Sequence, residues 1–440
     1  MTQERSNTGR TASTRKRLLI LASKLGYQTR GFADAAETLA VEVLFGTDRC
    51  HKLDDPWGDR ALALHFEKPR DAADEIVRQT KAAPPDAILA LGDRPTLTAA
   101  FAAETLGISG NPPVAVAACR NKALQRAALS KAGVRVPDFF SFNASDKISR
   151  VLPRVKFPCV VKPTVLAASQ GVIRANDASE FHSAVDRILA LLESPEIQVL
   201  REPGLDQLLV EAYIPGREVA LEGLLENGRL RVLAIFDKPD PLDGPYFEET
   251  IYVTPSRLPA ATQRAIEECS EECLAALGLV TGPLHAEFRL NESGVWPLEI
   301  APRPIGGLCS RALRFGPNRM SLEELLLRHA LGMPDSIAKR ETDASGVMMI
   351  PVPRSGIFDS VDGVAAAENV PGVTEIRITA RLRDYVAAWP EGSSYLGFIF
   401  ARAQSPDEVE RALRSAHAAM RFNFSPRLSV EHPLTRKLAT

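Results

Sequence analysis

The chain has 440 residues, 45% of them apolar and 25% charged, which is the composition of a globular protein with roughly two to four domains. Its formal net charge is −2, from 53 basic and 55 acidic side chains, so it lacks the long-range field that attracts nucleic acid or anionic lipid. No apolar run approaches the length of a membrane span, and six cysteines without a CxxC pair indicate a reducing, cytoplasmic compartment. We therefore expect small-molecule partners, with no nucleic acid and no membrane.

The first 16 residues are polar and basic, which predicts a disordered tail. The segment 17–118 alternates predicted strands (17–22, 42–45, 87–91) with predicted helices (32–40, 70–81, 94–106). This alternation predicts an α/β domain with a parallel sheet and helices on both faces. The first strand is followed by Ser23-Lys24-Leu25-Gly26 and not by GxGxxG, which argues against a nicotinamide or flavin Rossmann domain.

The segment 119–335 is predicted to form a domain of two lobes, about 119–207 and 208–335. We expect a break at 111–113, and then a helix from Lys122 to Ala132 that Gly133 closes. Two hairpins follow, the first turning at 227–228 and the second at 291–294. The segment 340–432 is predicted to be an α+β domain, with strands at 347–351, 373–379 and 395–401 and a last helix over 405–421.

Each strand of the second hairpin carries one glutamate, Glu287 or Glu299. His285 and Arg289 share a face with Glu287, because alternate side chains of a strand point the same way. Paired carboxylates beside a phosphate are the ligands that Mg²⁺ prefers. The alternative is a surface hairpin with solvated glutamates.

The register of this hairpin decides between the two interpretations. A simple even-length turn sets Glu287 opposite Leu298 rather than Glu299. One extra residue, for instance in a bulge at Gly294, would bring the two glutamates opposite each other.

A buried strand ends in Lys162, and a loop of small residues over 166–172 follows it. A lysine at the end of a buried strand is costly unless an anion meets it. The N–H groups of a loop that contains Ser169 and Gly171 could lie over phosphates, although the segment is not a Walker A motif. The alternative is an ordinary turn with an exposed lysine.

The segment Glu211-Ala212-Tyr213-Ile214 interrupts a strand that resumes near Glu218. Its backbone could bind an adenine edge, and the carboxylate of Glu218 could accept hydrogen bonds from ribose hydroxyls. An ordinary strand break explains the same pattern.

These three elements, in this order, resemble the ATP-grasp superfamily over about 120–330. Two further segments agree: Arg120-Asn121-Lys122 before its helix, and Glu299-Ile300-Ala301-Pro302-Arg303-Pro304-Ile305-Gly306-Gly307. The resemblance implies a parallel-sheet pre-ATP-grasp domain followed by a two-lobed ATP-grasp domain, with ATP and Mg²⁺ as cofactors and Mn²⁺ as an alternative metal. The implied roles are nucleotide binding for Lys122, Lys162, Ser169, Gly171, Glu211, Ala212, Tyr213, Ile214, Glu218 and Lys238, metal binding for Glu287 and Glu299, and acyl-phosphate binding for Arg303.

The chain departs from the family pattern at three places. Ala301 stands where the family often has an asparagine ligand to a second metal. The phosphate loop has Ala167 and Ala168 where glycine is usual, and Asn121 stands where aspartate is common. No charged centre is lost.

The segments 237–255 and 346–422 resemble the L-amino acid ligase and carnosine synthase branch. This resemblance implies a ligase that joins a carboxylate to an amine through an acyl phosphate, with at least one amino-acid substrate. Glu248 or Glu249 would bind an amino group, with solvated loop carboxylates as the alternative. His285 would orient a substrate or accept the proton of the amine, and a packed histidine is an equal alternative.

Three other functions stay open at this point: an enzyme like glycinamide ribonucleotide synthetase, one like biotin carboxylase, and an ATP-binding regulatory protein without turnover, which Ala301 favours. The residues fix neither the identity of the two substrates nor the oligomeric state, for which a homodimer is open.

Overall fold

The computed structural model describes residues 15–23, 27–48, 61–334 and 339–426. Most of the predicted tail (1–14), part of the segment after the first strand (24–26) and the predicted end of the last domain (427–432) lie outside these ranges.

In the described ranges the strands are β1 (Arg17–Ala22), β2 (Glu42–Thr47), β3 (Ala61–Ala63), β4 (Ala87–Leu91), β5 (Phe139–Asn143), β6 (Cys159–Pro163), β7 (Ile173–Ala175), β8 (Gln207–Ala212), β9 (Arg217–Glu226), β10 (Arg229–Asp237), β11 (Ile251–Thr254), β12 (Gly282–Asn291), β13 (Gly294–Ala301), β14 (Ala344–Ile350), β15 (Gly356–Asp362), β16 (Val373–Ile378), β17 (Tyr385–Val386), β18 (Gly397–Ala403) and β19 (Arg421–Ser425).

The α-helices in the same ranges are α1 (Tyr27–Thr38), α2 (Pro69–Thr80), α3 (Thr96–Leu106), α4 (Pro113–Arg120), α5 (Lys122–Lys131), α6 (Ile148–Val151), α7 (Ala178–Leu192), α8 (Pro195–Gln198), α9 (Ala260–Leu277), α10 (Leu322–Ala330), α11 (Val364–Glu368) and α12 (Pro406–Ala418). None of these described helices is both long and apolar enough to cross a lipid bilayer.

The N-terminal part contains the predicted parallel sheet, in the strand order β3-β2-β1-β4. The apolar runs of β1 and β4 are buried in it, which explains why both strands were predicted with their observed bounds. The predicted break lies between α3 and α4, but the helix α4, which begins at Pro113, was not predicted. Proline suits the first position of a helix, where an N–H would have no partner within the helix.

The first lobe is an antiparallel sheet in the order β5-β8-β6-β7, and the helix α7 packs on it. The strand β8 pairs with both β5 and β6. This pairing moves the boundary between the two lobes from about 207 to the end of β8 at Ala212.

An eight-stranded sheet in the order β13-β12-β9-β10-β11-β14-β18-β16 forms the body of the molecule. Its first five strands come from the second lobe, and its last three come from the predicted C-terminal domain. The pairing of β11 with β14 joins the two. The C-terminal part is therefore bonded edge to edge to the sheet that carries the paired glutamates.

A separate small sheet, β17-β15-β19, completes the C-terminal part, and the sequence analysis missed all three of its strands. The helix α12 begins with a capping box between Ser405 and Glu408, as the capping chemistry predicted.

A mutation in the apolar core that packs against the strand β12 can test how much the large sheet contributes to stability. Leu284 is 0% exposed there, whereas Leu382 on the surface is 60% exposed. We predict that Leu284→Ala lowers the free energy of unfolding by about 2–5 kcal/mol, because the truncation leaves a cavity. Leu382→Ala, the matched control, should change it by less than about 0.5 kcal/mol. Urea denaturation followed by circular dichroism measures both, and equal losses would contradict this packing.

Candidate active site

The hairpin of β12 and β13 sets Glu287 directly opposite Glu299. Asn291 pairs with Gly294 at the turn, and the register shifts by one residue between Phe288 and Glu287. The extra residue is Leu298, so the bulge predicted at Gly294 is wrong in place, although the predicted pairing of the two glutamates is observed.

The bulge follows Pro297, which cannot donate a backbone hydrogen bond. Proline inside a strand is typical of bulges and edge strands, so this residue was the overlooked signal in the sequence. Arg126, which is 1% exposed, donates from Nη2 to the Leu298 carbonyl at 2.7 Å and holds the bulge from the helix α5.

The other end of the Arg126 guanidinium fixes Glu211, since its Nε lies 2.5 Å from Oε1 of that carboxylate. The second oxygen, Oε2, lies 2.5 Å from Nζ of Lys162 at the end of β6. Burial favours the neutral acid, but Arg126 and Lys162 outweigh it and hold the pKa of Glu211 at about 2. The side chain of Glu211 thus positions Lys162. Only the backbone of Glu211 is left to bind adenine as part of the predicted linker.

Lys162 itself is buried, and this desolvation, together with the nearby cations Arg126 and Lys122, lowers its pKa. Lys122 lies 2.6 Å from the Leu166 carbonyl and 3.7 Å from Glu299. Asn121, a departure from the family pattern, caps the helix α5 by accepting hydrogen bonds from two backbone N–H groups. The two predicted phosphate lysines therefore converge on the side of the cleft that holds Glu299.

The loop 166–172 lies over this site. Ala168 and Ser169 have positive φ angles of 55° and 53°, and Gly171 has 71°. Ser169 lines the cleft as predicted. Gly171 is not among the residues that line it, and its N–H donates to the Pro390 carbonyl at 2.9 Å.

The predicted adenine linker is fixed by its own protein contacts. The N–H groups of Ala212 and Tyr213 donate to the carbonyls of Asp138 and Pro158, at 2.9 and 3.0 Å. Arg289, a buried residue of β12, donates to the carbonyl of Ile214 at 2.8 Å. The linker is thus held in place on one wall of the cleft.

Opposite charges face each other between β9 and β12. His285 is paired in register with Glu222, and Arg289 with Glu218, while the small Ala220 lies opposite Glu287. Nε of Arg289 lies 3.1 Å from the Glu218 carboxylate. Glu222 and Arg289 were not among the predicted site residues, although their alternation with Glu218 and Glu287 along the strands was the available signal.

Lys238 lies among three carboxylates, 2.8 Å from Glu218, 3.3 Å from Glu287 and in contact with Glu249, which also accepts a hydrogen bond from Tyr252. Burial opposes its charge, but the three acids raise the pKa of Lys238 well above its usual range. Lys238 does not line the cleft, so the structure does not place it as a direct nucleotide ligand. Its ammonium group instead offsets the charge of the acids behind Glu287.

His285 is buried, hydrogen-bonded through Nδ1 to Glu222, and its Nε2 lies 3.3 Å from Glu287. Burial disfavours its charged form, but Glu222 outweighs burial and raises the pKa of His285 to about 9. A general base must be neutral before it accepts a proton. This geometry supports the packed, positioning alternative for His285 and not the role of proton acceptor.

Arg303 lies just beyond β13, with Nε 2.7 Å from Asp93 and Nη2 3.7 Å from Glu299. Asp93 follows β4 of the N-terminal sheet, so two parts of the chain meet at this guanidinium. Burial opposes ionisation of Asp93, but Arg303 outweighs it and lowers the pKa of that carboxyl. Asp93 was missed because its partner is 210 residues away.

The two predicted substrate acids differ in their surroundings. Glu249 is committed to Lys238 and Tyr252. Glu248 is partly buried, its Oε1 has no hydrogen-bond partner among the described residues, and burial raises its pKa to about 7. Neither acid lines the cleft described next.

One cleft joins the other elements, with a cavity of about 100 Å³ beneath its open mouth. Its walls include ten of the predicted site residues: Lys122, Lys162, Ser169, Glu211, Ala212, Tyr213, Ile214, Glu218, Glu287 and Glu299.

Such a cleft, between a small antiparallel lobe and a larger sheet with paired carboxylates, is what the resemblance to the ATP-grasp superfamily implies. The family model of the ATP-grasp domain matches residues 155–312, and that of the L-amino acid ligase C-terminal domain 2 matches residues 348–425. The chain carries both domains, which confirms the predicted resemblance and fold class. ATP-grasp proteins in general use ATP and divalent metal ions.

Three similar proteins illustrate the relationship. The chain is 27% identical to alanine–anticapsin ligase of Bacillus amyloliquefaciens over 55% of its own length and 53% of that protein. It is 27% identical to carnosine synthase 1 of Gallus gallus over 60% of its length and 30% of that protein. The crystal structure of an L-amino acid ligase from Bacillus licheniformis superposes with a TM-score of 0.79 at 27% identity, covering 93% of this chain and 99% of that one.

The chain spans 50–64% of the length of the first curated relatives that it matches. Their activities and substrates therefore bear on this chain only as a proposal.

The pairing of Glu211 with two cations predicts a pH-dependent contribution to stability. Its folded-state pKa of about 2 lies below the ordinary value of 4.5, so the contribution is present above pH 4.5 and is lost as the pH falls towards 2. We predict that Glu211→Gln costs about 3–5 kcal/mol at pH 7, because two buried cations lose their partner.

The difference in unfolding free energy between the wild type and Glu211→Gln should shrink as the pH falls below 4.5. Urea midpoints from pH 7 to pH 3 measure this difference. A gap that is constant or widens over that interval would contradict the pairing.

Proposed function

We propose that this protein is an ATP-dependent ligase that joins a carboxylate to an amine through an acyl phosphate, with at least one amino-acid substrate. The observation that carries the proposal is the placement of Glu287 opposite Glu299 in the same cleft as Lys122 and Lys162. Two carboxylates and two lysine side chains around one cavity suit a triphosphate with a divalent cation, because the carboxylates can bind the cation and the lysines the phosphates.

The donor set fits Mg²⁺, with Mn²⁺ as an alternative. Glu299 is held only by ion pairs of 3.7 Å to Lys122 and Arg303, which leaves its oxygens free to coordinate a metal. Glu287 faces it, and carboxylate oxygens are the ligands that such hard cations prefer. When bound, the cation would withdraw charge from the phosphate oxygens of ATP.

A second acidic cluster is a weaker metal site. The carboxylates of Glu218, Glu249 and Glu287 lie within 4.8 Å of one another, but the ammonium group of Lys238 already lies among them. A divalent cation there would have to displace a buried lysine. We therefore assign the metal to Glu287 and Glu299.

In the first step, the linker at Tyr213 and Ile214 binds the adenine, and Lys122 and Lys162 bind the phosphates. A carboxylate oxygen of the substrate attacks the γ-phosphorus, the bond from that phosphorus to the β–γ bridging oxygen breaks, and ADP leaves. Phosphoryl transfer of this kind depends mostly on positioning and charge stabilisation.

In the second step, Arg303 holds the acyl phosphate with its planar guanidinium, which Asp93 orients. The amine nitrogen attacks the acyl carbon, the bond from that carbon to the phosphate oxygen breaks, and the proton lost by the nitrogen leaves with inorganic phosphate. His285 is held between Glu222 and Glu287, so its part is to orient Glu287.

We assign the binding of the substrate amino group to Glu248 or Glu249, which lie beside the cleft. Glu248 keeps an oxygen without a partner, whereas Glu249 is already paired with Lys238. Glu248 is thus the better candidate for binding a substrate ammonium group.

The match over 348–425 supports the L-amino acid ligase branch over the alternatives that resemble glycinamide ribonucleotide synthetase or biotin carboxylase. The cytoplasm suits this activity, since ATP is available there and the five cysteines in the described ranges are free and buried. Oligomeric state does not enter the proposal, because every residue assigned above comes from one chain.

The paired glutamates give the direct test of the proposed chemistry. We predict that Glu299→Gln lowers Mg²⁺-dependent ADP release at least about 100-fold, because charge stabilisation at the phosphates is lost. Glu292→Gln, at the exposed tip of the same hairpin, is the matched control and should retain wild-type activity. Full activity of Glu299→Gln, with unchanged circular dichroism, would refute the assignment.

A screen over substrates tests the reaction class. We predict that pairs of amino acids with Mg²⁺-ATP give ADP and phosphate, and that mass spectrometry detects a product of the summed mass less one water. Glycine with phosphoribosylamine, and bicarbonate, are the comparison substrates. ADP release with either of these alone would favour an alternative ligase, and ATP binding without release in any mixture would favour the regulatory protein.

A further inference from the structure

A short segment of the C-terminal part, Trp389–Glu391, forms hydrogen bonds with the loop 166–172 from outside the first lobe. Nε1 of Trp389 donates to the Ala168 carbonyl at 3.1 Å. The Gly171 N–H donates to the Pro390 carbonyl at 2.9 Å, and the Gln170 side-chain amide donates to the Glu391 carbonyl at 2.7 Å. Three successive residues of one part of the chain thus bond three residues of a loop more than 200 positions away.

The carboxylate of Glu391 adds an ion pair to this contact. It faces Arg187 on the helix α7 of the first lobe, with one N–O distance of 2.9 Å between Nη2 and Oε2 and a second contact from Nε. Arg187 also donates to the hydroxyl of Tyr246, which precedes β11. The first lobe is therefore tied to the C-terminal part next to the loop that covers the cleft.

The loop needs such support because its backbone is strained. Two consecutive residues other than glycine, Ala168 and Ser169, have φ angles in the left-handed region. Each such residue costs free energy and persists only where the surroundings fix it. Within the described loop, the contact to Ala168 comes from Trp389, and Ser169 lines the cleft beside it.

The segment Trp389–Glu391 also lies near Glu249, one of the two acids predicted to bind substrate, through a contact with Tyr395. The ring of Trp389 lies 5.0 Å from that of Tyr395, centroid to centroid. Tyr395 is partly buried near Glu249, and desolvation together with that negative charge raises the pKa of its hydroxyl well above the usual range. Trp389 thus contacts the phosphate loop on one side and, through Tyr395, borders the substrate region on the other.

We propose that Trp389, Pro390 and Glu391 are positioning residues for ATP: the C-terminal part holds the loop 166–172 in the conformation that binds the terminal phosphates. This inference rests on the proposed function, since it takes the cleft as the ATP site. None of the three residues needs to touch the nucleotide. Their effect is on the phosphates and not on the adenosine end, which binds at the linker 211–214.

Two variants remove single contacts. Trp389→Phe keeps an aromatic ring against Tyr395 and deletes the N–H that bonds the Ala168 carbonyl. Glu391→Gln removes the charge that faces Arg187. The matched control is Glu375→Gln, because Glu375 of the C-terminal part also pairs with an arginine, Arg311 of the second lobe, at 2.6 Å, and its side chain is 37% exposed, as is that of Glu391.

The measurement is the dissociation constant, with Mg²⁺, of AMP and of the non-hydrolysable ATP analogue AMP-PNP. Trp389→Phe and Glu391→Gln should weaken AMP-PNP binding roughly 2- to 10-fold, the size expected for one lost hydrogen bond or exposed ion pair. AMP binding should not change, and neither ligand should bind differently to Glu375→Gln. The double variant Arg187→Glu with Glu391→Arg should regain most of the lost affinity.

Unchanged AMP-PNP binding in both variants would overturn the inference. So would equal losses for AMP and AMP-PNP, since those would indicate general damage to the fold. A wild-type protein that binds neither ligand would overturn the proposed function together with the inference. A wild type that binds both, with variants like the control, would overturn the inference alone.

Discussion

The site depends on one local irregularity, the bulge at Leu298 that brings Glu299 opposite Glu287. Without the extra residue, Glu287 would face a leucine, and Glu299 would point to the other face of the sheet, because a shift of one residue exchanges the faces of a strand. Arg126 donates a hydrogen bond to the Leu298 carbonyl in the bulge and another to the Glu211 carboxylate. Glu211 in turn forms an ion pair with Lys162. One buried guanidinium thus links the paired glutamates to Lys162.

Charge balance explains why so many ionisable groups can be buried around this point. Removing one partner from a buried ion pair leaves an uncompensated charge, which is strongly destabilising. Here buried acids face cations, as with Glu222 and His285, or Glu218 and Arg289. Among the described residues, the ion pairs of Glu299 are long, and Glu299 is the group that the proposed mechanism leaves free for a metal.

The sequence predicted the parallel N-terminal sheet and ten of the residues that line the cleft, because apolar alternation and motif order are local features. It misplaced the bulge, although Pro297 was a local signal for it. It missed Asp93, Arg126 and the segment Trp389–Glu391, whose partners are distant in the chain and are set by how the domains pack. No local pattern shows that three carboxylates surround Lys238, and its assignment to the nucleotide stays a prediction.

The central claim is that the metal site is the pair Glu287 and Glu299 and not the acidic cluster around Lys238. A crystal structure with Mn²⁺ and AMP-PNP tests it most directly, through the anomalous signal of manganese. The account predicts anomalous peaks between these two carboxylates and the phosphates, with Lys238 still among its three acids. A peak in place of the Lys238 ammonium group, or a nucleotide bound outside the cleft, would contradict it.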